Sequence, residues 1–141
     1  MHAPPPDRHR EARLKPAILL VDDDIFLLTL TAELLSGLGY QVTTARNGSE
    51  ALAVFDNGHA VDLLVTDVQM PGLHGLDVAR RAKVLKPTLA VLYCTGHPEL
   101  IGDDMGPVLG PILTKPFPVQ RLHQEITRVH QAQAISPGHG Q

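Results

Sequence analysis

The sequence predicts a single α/β domain in which five parallel strands are covered by helices on both faces. Short apolar runs alternate five times with segments that suit helices, and the links between them are short. Such alternation is typical of parallel sheets joined by right-handed crossovers. A further observation is that four of the apolar runs lead into distinctive polar residues, which places their chemistry at one edge of the sheet.

The first predicted strand, Ala17–Val21, is an uninterrupted apolar run that leads into three aspartates, Asp22 to Asp24. A helix is predicted over residues 24–38, and Asp24 can cap its first turn by accepting hydrogen bonds from free N–H groups. Gly39 is placed to end this helix, since glycine suits the position after a last turn. The apolar stripe of the helix consists of Leu27, Leu30, Leu34 and Leu38, with Leu28 and Leu35 beside it.

The second predicted strand, Gln41–Ala45, is followed by a helix that ends at Asp56. Asn47 and Glu50 have the spacing of a capping box, although serine or threonine is commoner at the first position. Gly58 closes this unit.

The third predicted strand, Val61–Asp67, has four apolar residues among its first five positions, which suits a strand buried on both faces. Pro71 cannot donate to a strand ladder and Gly72 tolerates a turn, so the strand must stop before them. Asp67 is therefore expected at the carboxyl end of a central strand. A third helix is predicted over residues 73–86, before Pro87.

The fourth strand, Leu89–Tyr93, and the fifth, Pro111–Thr114, are separated by a segment rich in glycine and proline. We expect residues 97–110 to be short or irregular and to be held by little packing. The last helix begins near Pro118, a residue suited to a first helical position. Its apolar stripe is Val119, Leu122, Ile126 and Val129.

The two ends of the sequence set the expected bounds of the domain, and the composition limits the classes of partner and compartment. Residues 1–15 are expected to form a disordered tail and residues 135–141 a second tail, so the folded domain spans 16–134. With 43% hydrophobic residues the chain can build a core, while a net charge of -3 without a basic run argues against nucleic acid. No apolar run approaches the roughly 18 residues of a membrane span. The single cysteine, Cys94, fits a reducing compartment such as the cytoplasm, and the eight histidines lack zinc-site spacing.

Polar residues of particular kinds follow or end four of the strands. Asp22 and Asp23 follow the first, Asp67 ends the third, Thr95 follows the fourth and Lys115 the fifth. Because the carboxyl ends of parallel strands share one edge, these side chains should lie together. Three close carboxylates repel one another unless a cation is present, and a hard ion such as Mg²⁺ suits them. The lysine and the hydroxyl could neutralise the oxygens of a phosphoryl group that transfers to a carboxylate.

Four motifs together resemble the receiver domain of two-component response regulators. They are Ile18-Leu19-Leu20-Val21-Asp22-Asp23-Asp24, Val65-Thr66-Asp67-Val68-Gln69-Met70-Pro71-Gly72, Cys94-Thr95-Gly96 and Leu113-Thr114-Lys115-Pro116-Phe117. The resemblance covers residues 16–133 and is similar in detail to receivers found with hybrid histidine kinases. It implies a flavodoxin-like, or CheY-like, (βα)₅ fold.

The resemblance also implies a role for each matching residue. Asp67 would be the phosphoacceptor, and Thr95 and Lys115 would bind the phosphoryl group. The metal, Mg²⁺ or Mn²⁺, would be bound directly by some of the carboxylates and through a water molecule by one of them. Its implied ligands are Asp22 (through water), Asp23, Asp67 and the Val68 carbonyl, with Gln69 near the site.

The resemblance further implies a signalling module rather than an enzyme. The phosphoryl donor would be the phosphohistidine of a sensor or hybrid histidine kinase, and a histidine phosphotransfer protein could be a second partner. The module would catalyse only its own phosphoryl uptake and slow loss. Since few residues follow the last predicted helix, it would signal by binding a partner or by passing the group along a relay.

One departure from the receiver pattern concerns the switch. A tyrosine or phenylalanine is usual three residues before the lysine, and Ile112 stands there. Tyr93 could take part of that role or only pack, and His97 could gate the attacking water or be an exposed loop residue. Because no large ring is available at Ile112, we expect activation to change mainly the order of residues 97–110.

Two other classes share parts of this pattern. Asp22 and Asp24 superficially match the nucleophile motif of haloacid-dehalogenase-like phosphatases, but Phe26 stands where threonine or valine is usual, and a cap insertion and late acidic pair are absent. Phosphoryl attachment to Asp22 rather than Asp67 would identify that class. A flavodoxin-like mononucleotide binder shares the fold, but three acids would repel a cofactor phosphate.

Overall fold

The computed structural model describes residues 15–135, which form a three-layer α/β domain. The predicted tails, 1–15 and 135–141, lie outside this range except for Lys15 and Ile135. The strands are β1 (Ala17–Val21), β2 (Gln41–Ala45), β3 (Leu63–Asp67), β4 (Ala90–Thr95) and β5 (Ile112–Thr114). The α-helices of the described range are α1 (Ile25–Gly37), α2 (Gly48–Asp56), α3 (Gly75–Leu85) and α4 (Val119–Ile135).

The strands described are all parallel and lie in the order β2-β1-β3-β4-β5. This arrangement confirms the predicted flavodoxin-like sheet. The chain changes its direction of progress across the sheet between the neighbours β1 and β3. In open α/β sheets, ligands bind beyond the carboxyl ends of the strands at such a switch point.

The sheet separates two apolar cores. One lies under α2 and α3 and includes Leu64 and Leu76, and the other lies under α1 and α4 and includes Leu92 and Leu122. Every residue of β3 is buried, as its continuous apolar run predicts. The backbone that presents Asp67 is therefore fixed by packing on both faces.

Helix α1 buries a different face from the one its leucine stripe predicts. Leu28 and Leu35 are buried, at 4% and 0% exposure. Several other apolar side chains of the helix are left largely in solvent; these are Phe26, Leu30, Leu34 and Leu38. The predicted stripe was wrong because the helix is apolar on most sides, so that periodicity does not select the face that meets the sheet.

The two predicted N-caps are in place. Asp24 accepts a hydrogen bond from the N–H of Leu27 at 3.1 Å, and Asn47 accepts one from Glu50 at 2.9 Å. The Glu50 carboxylate in turn accepts the N–H of Arg46 at 2.8 Å. These bonds satisfy N–H groups that a helix start leaves free, and they fix the loops that follow β1 and β2.

The link between β4 and β5 contains no α-helix, as its glycines and prolines predict. It forms two short 3₁₀ turns, Pro98–Leu100 and Asp103–Met105. No residue of 97–110 is fully buried. Nevertheless three of its apolar side chains pack against the core under α3, namely Ile101, Met105 and Leu109. The segment is thus better anchored than its composition predicts.

Two side chains of the rigid framework hold this segment by hydrogen bonds. The guanidinium of Arg80 on α3 donates to the carbonyl of Met105, and the hydroxyl of Tyr93 accepts the N–H of Leu109 at 3.2 Å. Gly110 then approaches β4 so closely that an added Cβ would lie 1.8 Å from the carbonyl oxygen of Val91. Only glycine fits there, which fixes where the segment returns to the sheet.

In the part of the chain that the structure covers, no helix has both the length and the apolar character needed to cross a membrane.

Candidate functional site

Three carboxylates meet at the switch point of the sheet. Val21 and Thr66 are register partners in β1 and β3. The residues that follow them, Asp22 and Asp67, therefore lie side by side. Asp23 joins them, and carboxylate oxygens of all three residues lie within 4.8 Å of one another. The sequence predicted this cluster from the strand ends.

The predicted lysine reaches the same cluster. The Nζ atom of Lys115 lies 3.1 Å from Oδ2 of Asp22 and 3.5 Å from Oδ2 of Asp67. Burial lowers the pKa of Lys115, but the carboxylates of Asp22 and Asp67 raise it by more, so the net shift is upward. The ammonium group therefore stays charged at neutral pH and offsets part of the negative charge.

Backbone N–H groups orient two of the carboxylates. The Asp22 carboxylate accepts the N–H of Asp24 at 2.9 Å, and Asp67 accepts the N–H of Val68 at 3.0 Å through Oδ1. Each of the two acids is only 8% exposed. In both cases the other oxygen, Oδ2, faces Lys115.

Burial raises the pKa of Asp67 from 3.8 to about 6. Lys115 opposes this shift, whereas the negative charges of Asp22 and Asp23 add to it. At pH 7 the carboxylate is mostly ionised, but in an environment that disfavours its charge. A further cation at the cluster would relieve this repulsion.

The donor set fits a hard divalent ion. It consists of carboxylate oxygens, which Mg²⁺ and Mn²⁺ prefer. Asp23 is exposed, so the cluster is open to solvent on that side and leaves room for water ligands.

The carbonyl of Val68, which the receiver resemblance implies as a metal ligand, already accepts the N–H of Gly75 at 2.9 Å, and Val68 is 0% exposed. This bond belongs to a tight junction between β3 and α3. An added Cβ at Gly75 would lie 2.0 Å from the carbonyl oxygen of Asp67. One lone pair of the Val68 carbonyl is thus used for structure.

Thr95 has a defined hydrogen-bond environment. It is 0% exposed, and its Oγ1 accepts the N–H of His97 at 2.9 Å while its hydroxyl donates to Oε1 of Gln69. The Nε2 atom of Gln69 is buried and finds no partner among the described residues. Sequence analysis placed Gln69 near the metal, and the structure places its side chain on Thr95. No pattern in the sequence signals that pairing.

The predicted switch residues occupy three different environments. The imidazole of His97 is exposed and lies 3.3 Å from the Glu99 carboxylate, which agrees with the alternative of an exposed loop residue. Tyr93 is 0% exposed, and Ile112, its register partner in β5, is 38% exposed.

The single cysteine lies beside the acidic cluster without taking part in it. Cys94 and Asp67 are register partners in β4 and β3. Burial raises the pKa of the Cys94 thiol to about 12. The thiol is protonated at neutral pH and acts as a small apolar group of the core.

Comparison with known proteins agrees with this geometry. The family described as the response regulator receiver domain matches residues 18–127. The chain is 36% identical over 116 residues to the transcriptional regulatory protein GlrR of Escherichia coli, covering 79% of this chain but 26% of that protein. It is 33% identical over 114 residues to the response regulator receiver protein CpdR of Brucella abortus, covering 79% of this chain and 94% of that protein.

Among solved structures, the response regulator TrrA of Thermotoga maritima, in complex with Mg²⁺ and BeF, superposes with a TM-score of 0.67. It is 29% identical and is covered over 97% of its length by 80% of this chain.

A parallel sheet in the order β2-β1-β3-β4-β5, with three clustered acids and a lysine at its switch point, agrees with the receiver-domain class of protein. The chain belongs to the response regulator receiver domain family. It spans about a quarter of the length of GlrR, one of the full-length regulators it matches.

Proposed function

We propose that Asp67 accepts a phosphoryl group from the phosphohistidine of a sensor or hybrid histidine kinase, in a reaction that depends on Mg²⁺ or Mn²⁺. The observation that carries this proposal is the cluster of three carboxylates with Lys115 at its edge. Asp67 is the member that ends a strand buried on both faces, so the packing of that strand fixes the backbone that presents it.

In the proposed reaction a carboxylate oxygen of Asp67 forms a bond to phosphorus as the bond between phosphorus and the imidazole nitrogen breaks. The bonding pair stays on that nitrogen, and because the other ring nitrogen of the phosphohistidine carries a proton, the histidine leaves as neutral imidazole. Lys115 and the Thr95 hydroxyl stabilise the charge on the phosphoryl oxygens. Asp23, Asp67 and the Val68 carbonyl, with Asp22 through water, would hold the metal, which would supply positive charge that balances the acids.

The receiver family consists of signalling modules, and we assign this chain the same kind of role. Slow hydrolysis would remove the phosphoryl group from Asp67. The phosphorylated form would act by binding a partner, or would pass the group to a histidine phosphotransfer protein. Such a module would operate in the cytoplasm, where kinases have ATP.

The output of the switch would be a change in the order of residues 97–110. The N–H of His97, the first residue of this segment, is bonded to Oγ1 of Thr95 at 2.9 Å. A movement of Thr95 toward a phosphoryl group would therefore pull on the segment. No residue of the segment is fully buried, so a change in its order would disrupt only partly buried contacts.

The test is labelling by acetyl phosphate with Mg²⁺. Wild type should gain one phosphoryl group, and Asp67→Asn should gain none, because the amide is not a nucleophile. Asp56→Asn, which alters an exposed carboxylate at the end of α2, is the control and should label like wild type.

Labelling of Asp67→Asn at the wild-type level would contradict the proposal. A phosphoryl group mapped to Asp22 by mass spectrometry would point instead to the phosphatase class.

A further inference from the structure

We infer that Gln69 holds the Thr95 hydroxyl in the unphosphorylated protein and gives it up when the phosphoryl group arrives. Gln69 is then the side chain that changes partner on activation, and until then it keeps the Thr95 hydroxyl from the phosphoryl group. This inference rests on the proposed function, since it concerns the same site.

The first argument is the hydrogen-bond capacity of Thr95. Its Oγ1 accepts the N–H of His97 at 2.9 Å, and its only hydroxyl hydrogen is donated to Oε1 of Gln69. A hydroxyl has one hydrogen to donate. Thr95 cannot bind a phosphoryl oxygen until it leaves Gln69, so the two partners compete for the same donor.

The second argument is the state of the Gln69 amide. Its Nε2 atom is buried and has no partner in the described part of the chain. If Thr95 turned away while Gln69 stayed in place, Oε1 would lose its partner as well. The amide would then have no hydrogen bond to the described residues at either end, with its Nε2 buried, which favours a movement of the Gln69 side chain as Thr95 moves.

The third argument is that Tyr93 and Ile112, two other switch candidates, offer Thr95 no hydrogen bond. The Tyr93 hydroxyl is engaged by the N–H of Leu109 at 3.2 Å. Ile112 has no polar group and is 38% exposed on β5. Gln69 lies two residues after Asp67 in the chain, so its displacement would be coupled directly to the phosphorylated residue.

The test compares Gln69→Met with wild type, because methionine has nearly the same shape and lacks both amide groups. The probe is beryllofluoride with Mg²⁺, titrated by calorimetry. Gln69→Met should bind about fivefold more tightly, since the Thr95 hydroxyl no longer has to break a hydrogen bond. In a Thr95→Val background the same substitution should change affinity less than twofold, whereas in Thr95→Ser the fivefold gain should persist.

A second readout uses the side-chain amide resonances of Gln69. They should shift on addition of beryllofluoride in wild type and in Thr95→Ser, and in the ligand-free protein they should already be shifted in Thr95→Val. A merely structural role for Gln69 would not make these shifts depend on the hydroxyl.

The two proposals fail in different ways. If wild type binds beryllofluoride but Gln69→Met shows no gain, or shows the same gain with Thr95→Val, the inference about Gln69 is overturned and the proposed function stands. If wild type does not bind beryllofluoride at all, both are overturned.

Discussion

At the residue scale, Asp67 combines two properties that oppose each other. A nucleophile must be ionised, yet burial raises its pKa to about 6, with Lys115 opposing and the neighbouring acids adding to the shift. The pKa of the Asp67 carboxylate therefore lies close to neutral pH. Its chemistry should respond to pH more strongly than that of an ordinary aspartate.

We predict that the initial rate of labelling by acetyl phosphate falls about tenfold between pH 7 and pH 5, because only about a tenth of a group with this pKa is ionised at pH 5. Rates measured at a fixed, low Mg²⁺ concentration and corrected for acetyl phosphate hydrolysis would test this. A saturating concentration of Mg²⁺ should move the profile to lower pH, as bound cation favours the ionised form. A rate independent of pH between 5 and 7 would contradict the raised pKa.

The same shift predicts an effect on stability. An acid whose pKa is higher in the fold than the 3.8 of the free group binds more protons when folded, so its contribution to stability falls as pH rises from about 4 to 6. Asp67→Asn removes this penalty and should raise the melting temperature by about 5 °C at pH 7 without metal. The gain should shrink at pH 4.5. An equal gain at both pH values would show that the charge of Asp67 is not its cause.

The residues of the acidic cluster could be predicted from sequence, whereas their hydrogen-bond partners could not. Asp22, Asp67 and Lys115 follow from the rule that parallel strands bring their carboxyl ends to one edge. The bond between Gln69 and Thr95 depends on side-chain rotamers and local packing, which no spacing reveals. The same holds for His97, whose position in the chain suggested the site but whose ring pairs with Glu99.

At the element scale, the order of the link between β4 and β5 depends on its contacts with α3 and β4. None of its residues is fully buried, but three of its apolar side chains pack against the core, and Arg80 on α3 and Tyr93 on β4 add hydrogen bonds. Arg80 also pairs with Asp77 at 2.9 Å, which fixes its guanidinium. The order of the link therefore depends on its packing against the core and on the hydrogen bonds to Arg80 and Tyr93.

We predict that Arg80→Ala loosens this link without unfolding the domain. Amide hydrogen exchange in residues 100–106 should become about tenfold faster, since a hydrogen bond from a charged donor is lost, while β3 should exchange as in wild type. Arg81→Ala, at the neighbouring and exposed position, is the matched control. Beryllofluoride should also change exchange in the link of wild type. Equal exchange with and without the ligand would contradict the proposed change of order.

The elements themselves were largely predictable, and the face of α1 was not. Strands with continuous apolar runs, such as β3, can only be central, and Asp24 and Asn47 mark helix starts by capping. The choice between Leu28 and Leu30 as the core residue of α1 depends on the angle at which the helix meets the sheet. The sequence does not encode that angle when most sides of a helix are apolar.

At the scale of the whole molecule, the acidic cluster links metal binding to folding. Three carboxylates within 4.8 Å repel one another in the folded chain and separate when it unfolds. A cation that binds only the folded form stabilises it by RT ln(1 + [L]/Kd), about 2.7 kcal/mol at one hundred times Kd. The stability of the whole domain should therefore depend on whether a cation is bound at the acidic cluster.

We predict that Mg²⁺ raises the melting temperature of wild type and that Asp23→Ala abolishes the increase. Without metal, Asp23→Ala should melt at the same or a higher temperature, since one like charge is gone. Asp56→Ala controls for the loss of an exposed acid elsewhere. An undiminished Mg²⁺ effect in Asp23→Ala would remove Asp23 from the set of metal ligands.

The rate at which the buried thiol of Cys94 is alkylated measures how often the domain opens. Alkylation by iodoacetamide requires a thiolate in solvent, and Cys94 meets this condition when the core under α1 and α4 opens. Because the sequence has one cysteine, each modified molecule gains a single carbamidomethyl group, which intact mass spectrometry can count. Under conditions where opening is rapid and reversible, the modification rate follows the population of open molecules. Mg²⁺ should lengthen the half-time for alkylation by the same factor by which it reduces that population.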